Sequence, residues 1–239
     1  MDILAIGNSF STDATRYLYG IARAAGDNLQ VTNLYIGGCS LEQHYRNMLS
    51  NERAYALQSN GHNTGFSVSL SEALLNRKWD VISLQQVSHL AFDRESYLPY
   101  ISALAEFARK CAPKAKLYLH QTWAYEEGSP RLLNIAKYDR ADEMLRDVVK
   151  VNSEIAKIIK ADAIIRSGEL LGMLAKKGIT GIHRDTFHAS LGLGRYALGL
   201  VWYRALTKKQ VSENRFCDFD EPISEEELRI IKESVDCLE

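Results

Sequence analysis

Two short stretches far apart in the chain hold the residue types needed to draw a proton off a hydroxyl. In the first, Gly7-Asn8-Ser9-Phe10-Ser11 follows the apolar run Asp2–Ile6 and precedes a helical pattern. A serine there sits at the mouth of a sheet, and N–H groups opening the next helix stabilise negative charge beside it. In the second, His183-Arg184-Asp185-Thr186-Phe187-His188 leads into another helical pattern. An aspartate three residues before a histidine, in a loop entering a helix, lets both side chains point the same way. The carboxylate then fixes the imidazole tautomer, and the second ring nitrogen can accept a proton from a serine. The pairing predicts Ser9 as nucleophile, His188 as its base and Asp185 as the group that orients the base.

Plainer readings stand beside this one. Ser9 or Ser11 can simply cap a helix, with Asp185 a second cap and His188 a core residue. His183, Asp185 and His188 could instead ligate a metal, although no further His/Cys/Asp cluster completes the set. A phosphate loop is disfavoured, because Gly7-Asn8-Ser9 lacks the additional glycines and the lysine that cradle phosphates.

The remaining polar groups fall after other β-favouring runs. Gly37-Gly38 follows Tyr35-Ile36, where paired glycines permit positive φ or close approach to a ligand. Gln85-Gln86 follows Asp80–Leu84, and an amide there can donate to an anionic oxygen. Gln86, His89, Trp123 and Tyr125 are expected to line a substrate pocket, with packing the alternative for the two aromatics; His44 and His120 are expected to be structural.

Positioning these residues requires strands that end on one rim. Asp2–Ile6, Gln30–Ile36, Asp80–Leu84, Lys116–His120 and Ala161–Ile165 read as strands. Thr12–Ala25, Glu95–Lys110, Tyr138–Lys160 and Ser190–Leu206 read as helices, and Pro222–Leu238 as a capped acidic helix. This alternation predicts one α/β domain over 1–239, with a parallel sheet between two helical layers. Arg53–Leu57 and Thr64–Val68 flank the turn signal Asn60-Gly61-His62-Asn63, which predicts a small β-hairpin inserted near 53–68. Open α/β sheets place their sites beyond the carboxyl ends of the strands, where all these polar residues lie.

Bulk properties narrow the class. The 239 residues are 46% hydrophobic and 25% charged, with formal net charge −1, which suits a globular core and gives no concentrated positive field for nucleic acid. No apolar run approaches the ~20 residues of a membrane span. The four scattered cysteines have neither metal nor redox spacing and read as free thiols. The opening residues lack the basic start and cleavage site of a secretory signal, so a cytoplasmic location is expected; a chain trimmed of its leader would read the same. No cofactor is expected, and oligomeric state is not legible.

The ordered set resembles the SGNH hydrolases, also called GDSL esterases. Gly7-Asn8-Ser9-Phe10 is similar to their nucleophile turn, Gly38 to their oxyanion glycine, and Asp185 to His188 to their terminal Asp-x-x-His. Leu4–Ser11, Leu84-Gln85-Gln86 and Gln121-Thr122-Trp123-Ala124 resemble an uncharacterised bacterial subfamily of that type. Two departures stand out: Asn8 replaces the usual aspartate, and the Gly-x-Asn-Asp turn is absent. The resemblance implies a flavodoxin-like three-layer α/β/α sandwich on a mostly parallel five-stranded sheet. It also implies esterase chemistry on a small ester, an acylated sugar first among them. The implied oxyanion hole consists of the N–H groups of Ser9 and Gly38 and the amide of Gln85, with Gln86 the alternative. An inactive ligand-binding protein on the same fold is the rival implication.

Overall fold

The computed structural model describes residues 1–238. Its sheet comprises β1 (Asp2–Gly7), β2 (Gln30–Tyr35), β3 (Tyr55–Ser59), β4 (His62–Val68), β5 (Val81–Leu84), β6 (Lys116–His120) and β7 (Ala163–Ile165). Their spatial order is β4-β3-β2-β1-β5-β6-β7. The pairs β1–β2, β1–β5, β5–β6 and β6–β7 are parallel. The helices are α1 (Ser9–Thr15), α2 (Leu18–Ala24), α3 (Leu41–Ser50), α4 (Leu70–Leu75) and α5 (Tyr100–Cys111). They continue with α6 (Ala141–Ile158), α7 (Ser167–Lys176), α8 (Leu193–Thr207) and α9 (Glu225–Cys237).

Period-two alternation in β1 sorts the core into two halves. Ile3 and Ala5 join the cluster covered by α1, α2, α7, α8 and α9, while Leu4 and Ile6 join the one covered by α3, α4, α5 and α6. All four side chains are buried. That explains why the strand reads as an unbroken apolar run, as strands covered on both faces do. Helix α8 is also buried nearly all round, from Leu193 to Leu206.

The three-layer, mostly parallel architecture is as expected, but the sheet has seven strands instead of five. The expected hairpin near 53–68 is present and continuous with the sheet. Its strand β3 pairs antiparallel with β2 and β4 pairs with β3, so both extend the sheet. The turn is the two residues Asn60 and Gly61, whose φ values of 50° and 83° match the twist a tight hairpin needs. The expected helix Thr12–Ala25 starts earlier, at Ser9, and breaks at Arg16-Tyr17. There the Tyr17 hydroxyl donates to Leu191 O at 2.6 Å and accepts from the Asp220 N–H at 2.6 Å, a tertiary anchor that outweighs local helical pattern.

From β1 the chain moves outward through β2, β3 and β4, then returns to place β5 on the other side of β1. The reversal makes the carboxyl ends of β1 and β5 the topological switch point, where open sheets bind ligands.

A Cβ on Gly61 would collide with the carbonyl oxygen of Arg16, and its φ lies in the left-handed region. Gly61→Ala should therefore lower the unfolding free energy by about 1–3 kcal/mol. Urea denaturation followed by circular dichroism checks this, and an unchanged midpoint would show that the hairpin is not clamped at Arg16.

Candidate active site

Ser9 is the first residue of α1, and the cap before it is Asn8, whose Oδ1 accepts the Phe10 N–H at 3.0 Å. Ser11 Oγ donates to the Asn8 carbonyl at 2.8 Å. The capping work is done by its neighbours, which leaves the Ser9 hydroxyl half-buried and available. Gly7 makes the turn possible: a Cβ there would stand 2.7 Å from Ser11 Oγ and 2.8 Å from Gln85 Oε1.

The partner of Ser9 comes from 179 residues away. His188 Nε2 lies 2.8 Å from Ser9 Oγ, and His188 Nδ1 lies 2.7 Å from Asp185 Oδ2. Asp185 Oδ1 also accepts the His188 backbone N–H at 2.8 Å, so one carboxylate grips the residue at two points. Burial raises the Asp185 carboxyl, but the bonds from the His188 ring and N–H outweigh it and hold the group below the ordinary carboxylate range. Asp185 thus stays ionised where an imidazole takes up a proton.

The loop carrying this pair is held from several sides. Thr186 adopts φ 74°, and its carbonyl accepts the Glu126 N–H at 2.8 Å. Trp123 Nε1 donates to Phe187 O at 2.8 Å. The Phe187 ring lies 3.8 Å from the His188 ring and carries the Arg131 guanidinium 3.7 Å from its centre. Arg184 donates to the buried Asp13 at 3.0 Å and to the Ala189 carbonyl. Arg195 of α8 meets Asp13 at 2.9 Å and Asp220 at 2.9 Å, and Arg16 meets Asp220 at 2.6 Å. The bond from Arg16 is the main reason the Asp220 carboxyl is held down at about 2.

Gly38 follows β2 at φ 62°, solvent-exposed. Among the described residues neither its N–H nor that of Ser9 has an intramolecular acceptor. The expectation for Gln85 is corrected. Its Nε2 donates to Asn8 Oδ1 at 2.7 Å and its Oε1 faces His120 Nδ1 at 3.0 Å, within a fully buried amide that does not reach the surface. Gln86 is likewise committed inward, accepting the Leu41 N–H at 3.0 Å and donating to Ser96 O at 2.9 Å. Trp123 and Tyr125 are only 1% exposed. Trp123 stacks on Phe10 at 3.9 Å and Tyr125 OH meets Ser88 Oγ at 3.0 Å, so both are packing residues beneath the loop instead of an open platform. His89 is exposed overall, and partial desolvation of its ring, followed by the Arg131 cation, lowers its pKa.

His44, paired with Tyr55 OH at 3.0 Å, is pushed down to about 4 by burial, and His120 to about 3, so both are neutral core groups. Burial pushes the Cys39 thiol up to about 12, which removes it as a rival nucleophile. Among the described residues no three His, Cys, Asp or Glu side chains are arranged to hold a metal. Both ring nitrogens of His188 already have partners, which disposes of a His183/Asp185/His188 ligand set. A concavity of about 500 Å³ opens behind the loop, walled by Trp123, Tyr125, Leu171, Ile179 and His183, but it includes neither Ser9 nor His188. Among the described residues no helix is long and apolar enough to cross a membrane.

Local sequence pointed to Ser9, Asp185 and His188 but not to what supports them. Asp13 and Arg184 carried no signal, since a buried ion pair between residues 171 apart leaves no local pattern.

The layer and strand order give an α/β/α fold that solved SGNH-type hydrolases share. The chain belongs to the family described as "Domain of unknown function (DUF4886)", which matches residues 2–235. It is 31% identical to a DUF4886 family protein from Bacteroides uniformis, covering 99% of this chain and 93% of that one, with a TM-score of 0.89. A provisionally assigned SGNH hydrolase from Slackia heliotrinireducens superimposes with a TM-score of 0.62 at 22% identity, covering 86% of this chain and 98% of that one. The acetylxylan esterase Axe2 from Geobacillus stearothermophilus gives 0.54 at 16% identity, covering 87% and 92%. Likeness at these last two identities is a likeness of fold. No curated protein matches the chain.

Removing Asp13 would leave Arg184 with no carboxylate and Arg195 with Asp220 alone, on guanidinia that are only 30% and 15% exposed. Asp13→Ala should cost about 3 kcal/mol of stability, the lower end for breaking a buried ion pair. Proteolytic nicking should also rise between Arg184 and Ala189. A loss below about 1 kcal/mol in urea denaturation would contradict this account.

Proposed function

We propose that the protein is a serine hydrolase that cleaves carboxylic esters through an acyl-enzyme. The observation that carries this reading is the line Ser9 Oγ–His188 Nε2 at 2.8 Å and His188 Nδ1–Asp185 Oδ2 at 2.7 Å. Neutral His188 accepts the Ser9 proton as Oγ attacks the ester carbonyl, and Asp185 stabilises the imidazolium that forms. Two backbone donors, the N–H groups of Ser9 and Gly38, receive the oxyanion. His188 then protonates the departing alcohol; a water, deprotonated by the same imidazole, attacks the acyl-serine and releases the acid.

Two backbone donors without a side-chain third are a leaner oxyanion hole than the one expected from the sequence. The proposed substrates are esters of small acyl groups, O-acetylated carbohydrates first, with the alcohol lying toward Phe187 and the exposed His89.

Ser9→Ala should abolish hydrolysis of short-chain p-nitrophenyl esters and acetylated sugars while leaving the melting temperature near that of the parent. His188→Ala should cost roughly 10⁴–10⁶ in kcat, and Asp185→Asn at least about tenfold less, because the carboxylate is the least costly member of such a triad to lose. A fluorophosphonate probe should label Ser9, and EDTA should leave turnover unchanged. Full activity in Ser9→Ala would overturn the mechanism; a wild type that binds acetylated sugars without turnover or labelling would establish the ligand-binding alternative.

A further inference from the structure

Behind the nucleophile a line of four buried polar side chains runs through the core. Ser167 Oγ lies 3.0 Å from His120 Nε2, His120 Nδ1 lies 3.0 Å from Gln85 Oε1, and Gln85 Nε2 lies 2.7 Å from Asn8 Oδ1. Each residue is at most 1% exposed. The line ends on two backbone groups: Asn8 Oδ1 also accepts the Phe10 N–H at 3.0 Å, and Asn8 Nδ2 donates to the Cys39 carbonyl at 3.0 Å.

Those backbone groups fix the polarity of every bond. A backbone N–H only donates and a backbone C=O only accepts, so the Asn8 amide has one permitted orientation. Gln85 must then present Nε2 to Asn8 and Oε1 to His120. His120 must carry its proton on Nδ1, and Nε2 is left to accept from Ser167. Burial, which pushes His120 down to about 3, keeps the ring neutral, so this arrangement holds across neutral and mildly acidic pH.

We propose that Asn8 is the positioning residue of the oxyanion hole, and that Gln85, His120 and Ser167 form a buried relay that locks its amide in place. The bond from Asn8 Nδ2 to Cys39 O ties the end of β1 to the loop after β2. It thereby sets the Gly38 N–H against the Ser9 N–H. This assigns a role to the asparagine in the Gly-Asn-Ser turn: an ionised aspartate there would have no hydrogen to give the Cys39 carbonyl and would turn an oxygen toward it. The role rests on the esterase reading above.

The test uses the full chain and two readouts. Asn8→Asp, which is isosteric, should lower kcat by on the order of 10²-fold with KM little changed, as loss of oxyanion stabilisation does. The ratio of its kcat to that of wild type should rise as pH falls, because the introduced carboxyl, once protonated, can again donate to Cys39. His120→Leu should lower kcat several-fold. His120→Asn, whose side-chain N–H₂ replaces the Nδ1 donor, should recover most of it. The second readout needs no turnover: in ¹⁵N spectra the Gly38 and Cys39 amides should move or broaden in Asn8→Asp and His120→Leu but not in His120→Asn. The spectra should also show His120 protonated at Nδ1 alone. Should wild type fail to hydrolyse any ester while these amides respond as stated, the functional reading fails and the relay stands. Unmoved Gly38 and Cys39 amides in Asn8→Asp, or a kcat in that variant within about twofold of wild type, would overturn the relay; both measurements remain decisive if His120→Leu does not fold.

Discussion

The contact between Ser9 and His188 joins residues 179 apart in the chain, and it can be no better defined than the two segments that bring them together. One is a strand end buried on both faces; the other is a loop with no regular structure. The fold treats them differently. Beneath Ser9 it places neutral amides whose donors and acceptors allow one arrangement. Beneath the His188 loop it places charge, with Asp13 fully buried between Arg184 and Arg195. Such a cluster adds little net stability over a well-packed apolar alternative, yet it is costly to break and permits few geometries. Few permitted geometries suit a loop whose imidazole stands within hydrogen-bond range of Ser9.

Apolar contacts complete the hold. Trp123 stacks on Phe10, the residue after Ser9, and its indole N–H bonds the carbonyl of Phe187, the residue before His188. One side chain therefore touches the neighbours of both Ser9 and His188. A buried indole usually finds a hydrogen-bond partner, and here that bond joins the two halves of the site.

The layered architecture was legible because the strands are short apolar runs separated by helical patterns; the Asp185–His188 pair was legible because it spans three residues, and Ser9 because it directly follows a strand. What stayed hidden depends on partners remote in sequence. Gln85 and Gln86 end a strand, which made them plausible surface donors; nothing nearby reveals that Asn8, His120, Leu41 and Ser96 would absorb their bonds. Trp123 and Tyr125 misled for the same reason, since an aromatic after a strand reads alike whether it faces solvent or the underside of a loop. The hairpin was visible in Asn60-Gly61, but its attachment to β2 is a matter of tertiary register.

The ionic chain from Arg16 through Asp220, Arg195 and Asp13 to Arg184 sets how strong an acid must be to loosen this part of the molecule. Asp220 titrates near 2 in the folded state, against an ordinary value of 3.8. Its stabilising contribution is therefore complete above pH ~5 and is lost mainly as pH falls from about 4 through 2. In milder acid this link of the framework persists, and the tie between the first helix and α8 holds.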